Sequence, residues 1–289
     1  MERHFFTFSI NDFNLTKQQV LSWANQFSTC CFLDNHQYHF NHHTYECVAG
    51  AGVIDFIELS AGTALQQLNL FLQKNNGWLF GHLGYDLKNE SEELVSANPD
   101  YVHFADLFFF APQTVLLLSK DELCISASDV QKAEQIFYAL NKMNTERQHN
   151  YVNKITFQPR FSKQHYTAVI EKLRNHIVRG DCYEINFCQE FYADNAQIDP
   201  VSVYHLLSTI SPSPFAAFYK LSDKYLLCAS PERYLKKEGN TIISQPIKGT
   251  GKRDLLNSQT DLLNKESLYN SAKDRSENVM VVDLVRNDL

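Results

Sequence analysis

Two short runs bring together groups able to move protons and break bonds. Ser230-Pro231-Glu232-Arg233 carries a carboxylic acid, and Gln245-Pro246-Ile247-Lys248-Gly249-Thr250 carries an amine where a strand gives way to a turn. Between them, Glu238-Gly239-Asn240 is a hairpin signal. Folding the chain about residues 239–240 sets Glu232 and Lys248 nearly opposite each other. Directly opposed residues on an antiparallel pair have Cβ atoms roughly 4.5–5.5 Å apart. An acid and an amine at that spacing can share a reacting centre. The plainer outcome of the same geometry is a cross-strand ion pair, which is common and weak.

A second carboxylate comes from the last segment, which reads as a helix from about Lys273 onward. Glu277, Val281, Leu284 and Asp288 fall on one side, with Met280 and Val285 beside them. A carboxylate heading an apolar stripe is costly to bury unless it is paired or coordinated. Glu277 is therefore expected to meet a partner, a cation or a metal. Together the three groups could serve general-acid, nucleophilic and metal-assisted chemistry. A general acid protonates a poor leaving group. A neutral amine attacks first and splits one hard step into two. A carboxylate-bound divalent cation holds anionic substrate groups.

These groups need elements to hold them. Ser162 can cap a helix running to Arg179, with Tyr166, Val169, Ile170, Leu173 and Ile177 on one apolar face. Gly180 suits the left-handed position just past its end. Beyond it, Tyr183, Ile185 and Phe187 alternate with Glu184, Asn186 and Cys188, which predicts a half-buried strand with Glu184 on the open face. Residues 225–229 predict a strand leading into Ser-Pro-Glu. Residues 1–155 read as mixed helix and strand: 78–80, 108–110 and 115–118 are strand-like, and 61–74 is helical. The polar stretch 141–155 is the expected linker, dividing the chain into 1–155 and 156–289.

The chain of 289 residues is 44% apolar, enough to bury a sizeable core. Its net charge of −7 argues against nucleic acid or an anionic membrane surface as partner. Seven cysteines, an odd number with no Cys-x-x-Cys, suggest reduced thiols in a cytoplasmic protein. The most apolar stretch, 104–118, contains Asp106 and Pro112 and reads as two strands, too interrupted to span a bilayer. Gly249-Thr250-Gly251-Lys252 lacks the spacing of a phosphate loop, with Arg253 where Ser or Thr is required. His36, His39, His42 and His43 have no cysteine or carboxylate completing a standard zinc spacing and read as ordinary surface or core histidines.

Four blocks in order give these residues a context: Gly180-Asp181-Cys182-Tyr183-Glu184-Ile185-Asn186-Phe187, Ser230-Pro231-Glu232, Pro246-Ile247-Lys248-Gly249-Thr250, and the segment from Glu277-Asn278 to Arg286-Asn287-Asp288. Together they resemble the chorismate-utilising enzymes. Gly81-His82-Leu83-Gly84-Tyr85-Asp86 looks like the glycine-tyrosine-aspartate element of that family's N-terminal region, and weaker similarity covers roughly residues 77–289.

The resemblance implies an α+β fold of packed, largely antiparallel sheets flanked by helices, like that of the anthranilate synthases. Residues 1–155 would form the N-terminal region, and 156–289 the first part of the chorismate-binding catalytic domain. It implies Glu232 as general acid, Lys248 as nucleophile, Glu277 as a magnesium ligand, and Glu184 and Thr250 at the substrate. Glu184 departs from the family, whose water-using members place lysine there and whose ammonia-using members usually place glutamine. Lysine in the Pro-Ile-Lys-Gly-Thr block points to the aminodeoxychorismate synthases of folate precursor synthesis, whereas anthranilate synthases usually carry alanine. The implied cofactor is Mg2+, and the implied partner is a glutamine amidotransferase supplying ammonia. The alternatives are anthranilate synthase activity and a non-catalytic chorismate-binding fragment. Family members continue past the Arg-Asn-Asp-Leu block, so the sequence reads as a fragment, shortened at its C-terminal side.

Overall fold

The computed structural model describes residues 4–39, 41–92, 94–145, 155–247 and 249–289. The chain opens with β1 (His4–Ser9), α1 (Phe13–Ala24), β2 (Thr29–Asp34), β3 (Cys47–Ala51), β4 (Asp55–Leu59) and α2 (Ala64–Lys74). It continues through β5 (Phe80–Leu83), α3 (Lys88–Ser91), β6 (Leu107–Ala111), β7 (Thr114–Leu118), β8 (Glu122–Ala127) and α4 (Val130–Asn141). Pro112, which cannot donate to a ladder, separates β6 from β7 as the sequence predicts.

β9 (Gln158–Pro159), α5 (Lys163–Arg179), β10 (Phe191–Tyr192) and α6 (Pro200–Ile210) follow. Last come β11 (Phe215–Leu221), β12 (Lys224–Ser230), the hairpin β13 (Arg233–Glu238) and β14 (Thr241–Gln245), then α7 (Ser258–Asn270) and α8 (Ala272–Asp288).

Among the described residues, the largest sheet has seven strands in the order β1-β8-β7-β3-β2-β11-β12, every pair antiparallel. A second antiparallel sheet has the order β4-β6-β5. Cys31, Val48, Val115 and Tyr219 of the first sheet form one buried cluster with Phe80, Phe108 and Phe110 of the second. Helices α1 and α4 pack on each other and on strands of the first sheet, burying Val20, Leu21, Ala133 and Leu140. The fold is α+β, with packed antiparallel sheets and flanking helices, as the sequence implies.

The expected division at residue 155 does not coincide with the compact units, which are Met1–Glu146 with Tyr204–Leu289, and Arg147–Val203. The physical reason is strand pairing: β11 lies antiparallel to β2, with Phe218 opposite Phe32, so one sheet draws on both sides of that boundary. Of the expected linker 141–155, residues 146–154 lie outside the described residues.

In the unit formed by 147–203, α5 begins and ends as its sequence predicts. The Ser162 hydroxyl accepts from the His165 amide at 3.2 Å, and Gly180 takes up the left-handed conformation at φ +81°. The strand expected at 183–188 is absent: those residues form no ladder, and Tyr183 is 71% exposed. Alternation alone does not make a strand when no neighbouring edge is available to satisfy its backbone.

Candidate active site

The Ser-Pro-Glu run is built by the end of a strand. β12 stops at Ser230 because Pro231 cannot continue the ladder. Ser230 takes over the local hydrogen bonds: its hydroxyl accepts from the Glu232 amide at 3.3 Å and donates to the Glu232 carbonyl at 3.2 Å. Glu232 leaves this turn exposed, and its Oε1 accepts the Ile247 amide at 2.8 Å. The acid thus reaches across to the residue immediately before Lys248.

The hairpin turns at residues 239–240, as the sequence predicts, with Glu238 opposite Thr241 and Lys236 opposite Ile243. Between Arg233 and Lys236 the register shifts by one, so Arg233 faces Gln245. Such an irregularity bends the strand and re-aims its end. The Lys236 ammonium is 3.0 Å from both the His42 carbonyl and the Thr44 hydroxyl, which tethers the hairpin to the loop after β2. Lys248 itself lies outside the described residues, so the expected Glu232–Lys248 juxtaposition is described only through its neighbours.

Gly249 follows at φ +73°, a left-handed conformation that favours glycine. A Cβ there would lie 2.8 Å from Asp274 Cβ and 3.0 Å from its Oδ1. The turn therefore rests against the first turn of α8. Thr250 is exposed. Beyond it, Arg253 forks onto Asp261 at 2.7 Å, so the arginine that breaks the phosphate-loop spacing clasps the start of α7. The Arg253 hydrogen bond, joined by the Asp254 amide, holds the Asp261 carboxyl below the usual carboxylate range. A cavity of about 710 Å³ opens beside Gly249 and is lined from α7 and α8 by Leu262, Tyr269, Asp274, Arg275 and Asn278. That volume suits a small-molecule site.

Glu277 lies on α8 one turn after Asp274, on the same side of the helix. It is not the buried head of an apolar stripe: no α8 residue is buried, Leu284 is 37% exposed, and Glu277 Oε1 sits 3.8 Å from Lys273 Nζ. Its partner is a solvated cation one helical turn away. No three His, Cys, Asp or Glu side chains converge on a possible metal among the described residues. Magnesium is commonly bound through one or two carboxylates completed by substrate and water, and Glu277 can supply one.

Glu184 is exposed on the unpaired segment after α5, in the unit formed by 147–203, while Glu232, Thr250 and Glu277 belong to the other unit. Arg286 and Asp283 pair at 2.6 Å along α8.

Asp274 was not singled out by its sequence. Ser271-x-x-Asp274 is a capping pattern, and the Ser271 hydroxyl does accept the Asp274 amide at 3.3 Å. Nothing in that pattern tells that the Asp274 side chain meets Gly249. The thiols offer no rival nucleophile in the core. Burial pushes Cys30 up to about 12 and drives Cys31 and Cys47 upward as well. The histidine-rich loop serves as structure: His36 Nδ1 lies 2.9 Å from the Ser213 carbonyl, and His43 Nε2 lies 2.9 Å from that of Tyr45.

This arrangement of sheets and helices occurs in known enzymes. Anthranilate synthase component I from Streptococcus pneumoniae TIGR4 superposes with a TM-score of 0.70 at 19% identity, over 87% of this chain and 64% of that one. MenF, the menaquinone-specific isochorismate synthase from Escherichia coli, does so with a TM-score of 0.60 at 12% identity, over 98% of this chain and 62% of that one. At those identities the likeness is one of fold.

Residues 22–289 match the family of chorismate binding enzymes, and the chain belongs to it. The match extends well upstream of the residue 77 expected from the motifs. Aminodeoxychorismate synthase component 1 of Bacillus subtilis (strain 168) is 26% identical over 226 residues, covering 74% of this chain and 48% of that protein. The Escherichia coli (strain K12) enzyme of the same name is 29% identical over 213 residues, covering 74% and 47%. An anthranilate synthase component I-like protein from Synechocystis is 30% identical over 222 residues, covering 74% and 44%. The chain thus spans about half the length of the curated relatives it matches.

Proposed function

We propose that the protein bearing this chain converts chorismate and ammonia to 4-amino-4-deoxychorismate, a precursor of para-aminobenzoate and folate. The observation that carries the reading is Lys248 in the Pro-Ile-Lys-Gly-Thr run, preceded by Ile247, whose amide donates to the Glu232 carboxylate. Lys248 as a neutral amine attacks ring carbon 2. The ring double bonds shift, the bond from carbon 4 to its hydroxyl breaks, and a proton from Glu232 lets the hydroxyl leave as water. The proton released by the alkylated lysine restores Glu232. Ammonia then attacks carbon 4, the bond from carbon 2 to lysine breaks, and the free amine returns. The sum is chorismate plus ammonia giving aminodeoxychorismate plus water.

The Ile247 amide fixes the direction in which the Glu232 side chain points. Glu277 would hold a magnesium ion together with substrate carboxylates and water, and the charge so supplied offsets those carboxylates. Thr250 and Glu184 are proposed to contact substrate. Ammonia would come from a glutamine amidotransferase partner, and a cytoplasmic setting suits the reduced thiols.

Incubation of the intact protein with chorismate, magnesium and ammonium, followed by mass spectrometry, tests the reading. Aminodeoxychorismate is expected. Anthranilate as the product would instead place the protein with relatives of that activity, and binding without turnover would leave a chorismate-binding protein.

A further inference from the structure

We propose that Asp274 is a positioning residue for the reaction. Its side chain fixes the left-handed backbone at Gly249, the residue that follows Lys248 in the sequence. The inference rests on the function proposed above. Three observations carry it. Gly249 stands at φ +73° with no room for a Cβ, because the Asp274 side chain fills that space at 2.8–3.0 Å. On the other flank of Lys248, the Ile247 amide is held by Glu232 at 2.8 Å. The brace is anchored in turn, since Asp274 sits on the capped first turn of α8, where Ser271 accepts its amide. Ile247 and Gly249, the sequence neighbours of Lys248, thus each meet a carboxylate side chain from a different element. The same helix face carries Glu277 one turn later, so the Gly249 contact and the proposed cation ligand share one helix.

The contact is one of shape, so the variants separate shape from charge. In the intact protein, Asp274→Ala removes the carboxyl group from the Gly249 contact, whereas Asp274→Asn keeps its size and outline. With chorismate and ammonia as substrates, Asp274→Ala is expected to lower kcat about tenfold or more, since small misplacements of reacting groups cost up to about 10²-fold. The KM for chorismate should stay within about twofold, because uniform binding is untouched. Asp274→Asn should retain most of kcat. Gly249→Ala should also lower kcat, and combining it with Asp274→Ala should give less than the product of the two losses, as expected for residues in contact. Wild-type kcat in a folded Asp274→Ala variant, or losses that simply multiply, would overturn the inference.

Hydrogen exchange supplies a readout independent of turnover: amides at 249–251 should exchange faster in Asp274→Ala than in wild type. Unchanged exchange there overturns the brace. Faster exchange in a protein that makes no aminodeoxychorismate upholds the brace and refutes the proposed reaction.

Discussion

Glu232 owes its aim to its neighbours. Proline ends the strand, serine ties down the Glu232 backbone, and the Ile247 amide receives one carboxylate oxygen. Glu232→Gln keeps an acceptor for that amide and removes the proton. It should lower kcat by about 10²–10⁴-fold, the usual worth of a general acid, while melting at the wild-type temperature. A steady-state assay beside a thermal melt checks this, and near-normal turnover would return Glu232 to a hairpin clasp. At Glu277 the sequence suggested a buried carboxylate, and the structure shows a half-buried one beside the exposed Lys273. An exposed i,i+4 pair is worth about 0.3–0.5 kcal/mol, so Glu277→Gln should barely change stability. If Glu277 binds magnesium, the variant should lose activity at low magnesium and regain part of it at high concentration. Full activity at low magnesium would leave Glu277 as half of a surface ion pair.

Among the elements, those with local signals were legible. Ser162 and Gly180 delimit α5, the strand expected at 225–229 becomes β12, and Glu238-Gly239-Asn240 becomes the turn between β13 and β14. Features set by a distant partner were not. The register shift between Arg233 and Lys236 moves the hairpin's end by one residue, and the segment at 183–188 stays unpaired despite its strand-like alternation. The apolar stripe of α8 has correct helical spacing, yet none of its side chains is fully buried, and Leu284 is 37% exposed. Helical stability in water comes mostly from packing an apolar face. Hydrogen exchange on the chain of 289 residues should therefore show weak protection over α8 and strong protection over β2, β3 and β7. Strong protection of α8 in a monomer would show that its face is packed after all.

At the scale of the molecule, the sequence implied the class of fold but not how the chain builds it. The strands at 108–110, 115–118 and 225–229 announce themselves, whereas the pairing of β2 with β11 joins residues nearly two hundred positions apart and has no local signature. That pairing makes the Ser-Pro-Glu turn a direct extension of the central sheet through β12, so the candidate acid is mounted on the largest sheet. Ile247 meets Glu232 from this sheet, and Gly249 meets Asp274 from α8. The central claim is that Lys248 forms a covalent bond to the ring. It is tested most directly by incubating the intact protein with chorismate and magnesium in the absence of ammonia, then digesting it for peptide mass spectrometry. The account predicts a chorismate-minus-water adduct on Lys248 that disappears when ammonium is added, and no such adduct in Lys248→Ala, which should also fail to make aminodeoxychorismate. An unmodified Lys248, together with undiminished turnover in Lys248→Ala, would contradict it.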